Sequence, residues 1–157
     1  MDSITRREVL TRAKQAGAAL AMGLPGTAAA HETPPGSPPA KLKVIIAGGH
    51  PGDPEYGCGG AIARYSDLGH EVVLLYLNNG EWPAAQGGAP AAVRMAEARK
   101  ACEILKVRPR YAGQVNGHAV LDAAHFDAFR EILEAERPDV VFTQWPIDGH
   151  RDHRATS

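Results

Sequence analysis

From Lys41 onward, short continuous apolar runs alternate with longer stretches in which apolar residues recur every three or four positions. Lys43-Val44-Ile45-Ile46-Ala47 predicts a buried strand. Residues from about Gly59 to Leu68 carry Ala61, Ile62, Tyr65 and Leu68 at helical spacing, and Gly69 suits the stop. Val72 to Leu77 predicts a second strand, and Pro90 to Leu105 a second helix with Val93, Ala96, Ala101 and Leu105 toward a core. A weaker strand is expected over Arg110 to Gly113. Asp122 to Glu136 reads as a third helix, with Phe126, Phe129, Ile132 and Leu133 as its apolar stripe. Asp139-Val140-Val141-Phe142-Thr143 is the fourth strand, and Asp152 to Ser157 would start another helix.

Strands alternating with helices define an α/β fold, and near-continuous apolar strands imply a mostly parallel sheet covered on both faces. Right-handed crossovers then give a Rossmann-like three-layer αβα arrangement. Strand order reverses beside the first strand in such a sheet. The first and fourth strands can therefore be neighbours, with ligands beyond their carboxyl ends. No strand or helix follows the one opening at Asp152. Either the 41–157 domain is incomplete at its C-terminus, or its sheet keeps an exposed edge, which soluble proteins usually avoid.

The first 30 residues read differently. Arg6-Arg7 precedes an Ala- and Gly-rich apolar stretch from Ala16 to Leu24, followed by Pro25 and the small-residue run Thr27-Ala28-Ala29-Ala30. This order resembles a twin-arginine export signal cleaved near Ala29 or Ala30, and it predicts a periplasmic or extracellular protein. The apolar stretch is too short to anchor the mature chain in a bilayer. Residues 31–40 contain Pro34, Pro35, Gly36, Pro38 and Pro39, and read as an extended linker.

Of the 157 residues, 44% are hydrophobic and 22% charged, which fits one globular domain. Removing residues 1–30 takes away four basic and two acidic side chains and leaves 13 basic against 16 acidic. The mildly acidic remainder lacks the positive field that nucleic acid or an anionic membrane would require. Cys58 and Cys102, the only cysteines, cannot build a disulfide framework or a four-thiolate zinc site. The oligomeric state is not set by anything in the sequence.

Two clusters carry the chemistry. His50-Pro51-Gly52-Asp53 follows the first strand and His150-Arg151-Asp152-His153 follows the fourth. Adjacent strands would bring them together despite some hundred residues between them. Together they offer His, Asp and His to one ion, a ligand set that suits catalytic zinc with an open position for water. Iron or cobalt would suit the same ligands in part.

The chain at this point resembles the PIG-L/LmbE family of zinc-dependent N-deacetylases. The matching residues are Ala47-Gly48-Gly49-His50-Pro51-Gly52-Asp53-Pro54-Glu55, then Gly57-Cys58-Gly59-Gly60, the Asn79-Gly80-Glu81 turn, the Arg94, Glu97 and Ala101 helix pattern, and Asp148-Gly149-His150-Arg151-Asp152-His153. The resemblance spans about residues 43 to 157, the N-terminal part of the family domain. It implies a Rossmann-like fold and hydrolytic removal of acetyl groups from N-acetylglucosamine-containing glycoconjugates or related small molecules. It further implies that His50, Asp53 and His153 bind Zn2+, that His150 is the catalytic acid or oxyanion stabiliser, and that Asp152 orients and tunes His150. Glu81 and Arg94 would face the pocket.

One position departs from the family pattern. Gly52 stands where the family carries a second Asp, the expected general base for the metal-activated water. Asp152, Glu55 or Glu81 could take the proton instead, His150 could serve as both base and acid, or the protein could bind ligand with little turnover. The leading expectation is an exported metal-dependent hydrolase of N-acetylated amino sugars. The alternative is a noncatalytic sugar- or metal-binding module. A dinucleotide site is disfavoured because Gly48-Gly49-His50-Pro51-Gly52 is not the G-x-G-x-x-G fingerprint. Trp82 and Trp145, in loops after strands, could stack on a sugar or cap a core. His70, His118 and His125 lack a partner at ligand spacing.

Overall fold

The computed structural model describes residues 40–157, so the expected export signal and nearly all of the expected linker lie outside the described residues. Four parallel strands, β1 (Lys43–Gly48), β2 (Glu71–Asn78), β3 (Arg108–Gln114) and β4 (Val140–Phe142), lie in the order β3-β2-β1-β4. In register, Val44 of β1 stands between Val72 of β2 and Val140 of β4. The helices are α1 (Asp53–Asp67), α2 (Ala91–Leu105), α3 (Ala123–Glu136) and α4 (Arg151–Thr156), with a short 3-10 turn at Ala84–Gln86. None of the described helices is long and apolar enough to cross a membrane.

Side chains alternate across a strand, so each strand feeds two cores. Val44, Ile46, Val72, Leu74 and Tyr76 pack on one face against Ile62 of α1 and Ala98 and Cys102 of α2. Ile45, Ala47, Val73 and Leu75 lie on the other, under Phe129, Ile132 and Leu133 of α3. Three layers result, and the strand reversal beside β1 places β1 and β4 side by side as expected. Each fully buried aliphatic side chain contributes about 1.5–3 kcal/mol.

Three expectations about individual elements need correction. Helix α1 starts at Asp53, well before Gly59, because Gly57, Gly59 and Gly60 interrupt the apolar period on which the expected start rested. Pro54, Asp53 and Glu55 in its first turn all suit a helix N-terminus. On α2 the buried positions are Ala98 and Cys102, while Val93 is 44% exposed and Ala96 also faces outward. The small side chains let that helix lie against the sheet. Phe126, expected in the α3 stripe, is 58% exposed. Pro109 sits inside β3, where an edge strand tolerates the missing amide hydrogen.

At the rim opposite the carboxyl ends, Lys43 Nζ lies 2.9 Å from Glu136 and 3.2 Å from Glu71, and Arg108 pairs with both acids. The Arg108 guanidinium, supported by Lys43 and opposed by burial, holds the Glu136 carboxyl down to about 2, from an ordinary 4.5. A carboxyl whose pKa falls on folding stabilises the native state fully above its unfolded value, and that contribution fades as pH drops toward the folded value. Glu136→Gln is therefore expected to cost about 1 kcal/mol at neutral pH, a figure limited by solvent screening of its exposed partners. It should also make thermal stability less dependent on pH between about 4.5 and 2. Melting curves across that window check this, and parallel curves for both proteins would refute it.

Candidate metal centre

The site begins where β1 ends. A Cβ on Gly48 would stand 2.6 Å from Pro54 Cδ, and one on Gly49 would stand 3.1 Å from His153 Cδ2. Two glycines in succession thus let the start of α1 and the start of α4 close on the end of β1. Gly49 N–H donates to Gln144 Oε1 at 2.9 Å, which ties β1 to the segment after β4.

Beyond this junction, one oxygen of Asp53 gathers the neighbouring groups. Asp53 Oδ2 accepts the His50 backbone N–H at 2.8 Å and Gln144 Nε2–H at 3.3 Å. It also lies 3.0 Å from His50 Nδ1 and 3.2 Å from His153 Nε2. Ligand atoms of a tetrahedral site with metal bonds of about 2.0 Å are separated by about 3.3 Å. His50 Nδ1, Asp53 Oδ2 and His153 Nε2 are therefore of the right chemistry, and Asp53 Oδ2 has close to the right spacing to the other two. His150 joins the cluster, with its ring centroid 4.7 Å from those of His50 and His153. One nitrogen from each of the three histidines falls within a 4.8 Å group. The three histidines form a group that could hold a metal ion, with Asp53 Oδ2 within 3.2 Å of two of them.

The outer nitrogens have carboxylate partners. His50 Nε2 is 3.2 Å from Asp152 Oδ2, and His153 Nδ1 is 3.2 Å from Asp148 Oδ1. Burial works against a charged His50, but Asp53 and Asp152 outweigh it and its pKa is raised. Burial likewise opposes a charged Asp53, and the hydrogen bonds from His50 overcome it, so that carboxyl is lowered.

Asp152 departs from the role expected of it. Its carboxylate, fully buried, accepts from Asn78 Nδ2 at 3.0 Å, Gly117 N at 2.7 Å and Ala119 N at 3.4 Å, and its ring partner is His50. What His150 receives from Asp152 is the backbone N–H, donated to Nδ1 at 3.2 Å where His150 caps α4. The side chain at the second position of that short helix turns inward toward β2, so it cannot also reach the cap. A neutral His150 with Nδ1 accepting carries its proton on Nε2, the arrangement of a donor.

The four groups expected as replacement bases are placed as follows. Asp152 is held by the contacts above. Glu55 Oε1 accepts Tyr76 Oη–H at 2.6 Å on the α1–α2 side of the sheet. Glu81 Oε1 accepts Asn116 N–H at 3.2 Å, and its Oε2, like that of Glu55, is buried without a hydrogen-bond partner among the described residues. His150 would have to give up its cap to expose a lone pair on Nε2. Gly52 itself has φ +110°, and a Cβ there would meet nothing within 4 Å.

Arg94 pairs with Glu97 and donates from Nη2 to Pro51 O at 3.1 Å, bracing the His50-bearing turn. Glu81 and Trp82 line a cavity of about 530 Å³ with Asn116 and His118. Trp145 is exposed, so it caps no core among the described residues. Sequence reasoning gave Gln144, Asp148 and Asn78 no part in the metal site, although Asp148 opens the Asp148–His153 run; the signal for Asn78 and Gln144 was a position at or two residues past a strand end. His70 is structural, its Nδ1 accepting the Leu42 N–H at 3.1 Å.

Comparison with known proteins adds the decisive observation: the family described as GlcNAc-PI de-N-acetylase, PIG-L, matches residues 44–157. The chain belongs to the PIG-L family. This PIG-L chain is 33% identical over 122 residues to the diacetylchitobiose deacetylase of Thermococcus kodakarensis, covering 71% of its own length and 45% of that protein. A conserved protein of Thermus thermophilus shares the fold with a TM-score of 0.63 at 29% identity, over 73% of this chain and 51% of that one. An inhibitor-bound N,N'-diacetylchitobiose deacetylase of Pyrococcus horikoshii gives a TM-score of 0.66 at 24% identity, over 99% of this chain and 57% of that one, which bears on fold alone. The PIG-L chain spans about half the length of these relatives.

Proposed function

We propose that the protein is a metal-dependent hydrolase that removes an acetyl group from the nitrogen of an amino sugar or a related glycoconjugate, acting outside the cytoplasm after export by its Arg6-Arg7 leader. The observation that carries this reading is the convergence of His50 Nδ1, Asp53 Oδ2 and His153 Nε2 beside His150, in a chain of a de-N-acetylase family. His50, Asp53 and His153 would hold the ion, with zinc the best match to the donor set. When bound, zinc polarises an amide carbonyl and acidifies water.

The chain's own groups do the rest. His150 Nε2–H donates a hydrogen bond to the oxygen that gains charge as the amide carbon becomes tetrahedral, and the proton given up by the attacking water is the one the departing amine takes away. The backbone bond to Nδ1 fixes the direction of that donor. The cavity lined by Glu81 and Trp82 offers a carboxylate and an aromatic face, a pairing suited to sugar hydroxyls and a sugar ring.

A second reading has one specific observation in its favour. No side chain occupies the base position at Gly52, and Asp152 is held by its own donors, so the domain would bind N-acetylated sugars with little turnover. Acetate release from N,N'-diacetylchitobiose by the zinc-loaded full chain separates the two. Zinc-dependent turnover establishes the hydrolase; stoichiometric binding without acetate establishes the binding module.

A further inference from the structure

We propose that Asp148 is a positioning residue for the metal centre, a single carboxylate oxygen that sets both the ring of His153 and the loop carrying His150. The proposal rests on the metal reading above and extends it to a residue outside the ligand set.

Asp148 Oδ1 accepts the His150 backbone N–H at 2.7 Å and lies 3.2 Å from His153 Nδ1. The first contact closes a tight turn that presents His150 at the start of α4. The second gives the outer nitrogen of His153 an acceptor equal in distance to the Asp53 oxygen at its inner nitrogen, so that a ring with Nε2 on an ion keeps its proton on Nδ1. The same arrangement recurs at His50, whose inner nitrogen meets Asp53 Oδ2 and whose outer nitrogen meets Asp152 Oδ2. Two ligand histidines backed by two separate carboxylates is the pattern by which proteins fix tautomer and strengthen the bond to an ion.

The Asp148 loop is itself braced. Arg154 Nη1 donates to Asp148 O at 2.7 Å and Gly149 O at 3.0 Å, and Asp148 N–H donates to Trp145 O at 3.1 Å. Asp148 is one-third exposed and belongs to neither apolar core, so its loss is local. Asp152, by contrast, is buried among four donors and serves as a structural hub. The pair thus divides the work: Asp152 locks His50 into the fold, and Asp148 aligns His153 from the surface.

Two variants test this. Asp148→Ala removes both contacts, while Asp148→Asn keeps a neutral acceptor for both. Nitrogen–proton correlation spectra of the metal-free full chain at alkaline pH report which ring nitrogen of His153 carries the proton. The expected result is a loss of Nδ1–H in favour of Nε2–H in Asp148→Ala, relative to both the native protein and Asp148→Asn. Competition with a chromophoric chelator should show zinc binding weakened about 10- to 100-fold in Asp148→Ala, with Asp148→Asn nearer to native, and metal-free melting temperatures should stay close together. An unchanged His153 tautomer in Asp148→Ala overturns the proposal. So does unchanged zinc affinity in that variant. If the native chain takes up no zinc, the metal reading fails by itself, and the tautomer measurement still decides the role of Asp148.

Discussion

A Gly52→Asp variant is expected to release acetate about 100- to 10,000-fold faster than the native chain, the usual contribution of a positioned general base. Gly52 stands in the turn after β1, next to Asp53 and two residues from His50. Space is available, because a Cβ meets nothing within 4 Å. Conformation is the cost: φ of +110° is a region that side chains other than glycine rarely adopt, and holding one there costs about 1–3 kcal/mol. The variant should therefore melt at a lower temperature while turning over faster, a combination that a general improvement in folding would not produce. Steady-state acetate release on N,N'-diacetylchitobiose, with melting curves, measures both. A native rate already matching the variant would mean that another group takes the proton.

Asp53→Asn is expected to weaken zinc binding by more than the roughly hundredfold typical of outer-shell partners, and to abolish measurable turnover. Four contacts converge on Asp53 Oδ2, from His50 N, His50 Nδ1, His153 Nε2 and Gln144 Nε2. An amide of the same shape removes the negative charge that these donors and an ion share, and in one of its two orientations turns its own N–H groups toward them. The fold should persist, because Asp53 opens α1 outside both cores and Gly49 still bonds to Gln144. Chelator competition and far-ultraviolet dichroism separate lost binding from lost structure. Native zinc affinity in Asp53→Asn would exclude Asp53 from the ligand set.

Architecture was more legible in the sequence than the connections within the site. Val44 to Ala47 and Val72 to Leu77 announce buried parallel strands through composition alone, and the neighbouring of β1 and β4 follows from crossover handedness. His50, Asp53, His150 and His153 stand out because ligand-type residues follow strands. The start of α1 was hidden by Gly57, Gly59 and Gly60, which carry no apolar period. The outward turn of Val93 on α2 was hidden because Ala98 and Cys102 are buried through smallness, which a hydrophobic pattern ranks below a valine. Asp152 was assigned to its sequence neighbour His150, yet its side-chain partners are Asn78, Gly117, Ala119 and His50. Such contacts depend on where a helix lands on a sheet, and no local spacing encodes them.

The two halves of the site hang from supports of different kinds. His50 and Asp53 flank the junction of β1, a central strand paired along its whole length to β2, with α1. His150 and His153 follow β4, which meets β1 over only three residue pairs. Excursions that detach the β4–α4 arm leave the pairing of β1, β2 and β3 intact but must also break the contacts of the buried Asp152 carboxylate to Asn78, Gly117, Ala119 and His50. Each such excursion would carry away two imidazoles together while His50 and Asp53 stayed behind. Ion exchange at this centre would thus be governed by the breathing of one arm, and a bound ion would act as the latch that holds it shut.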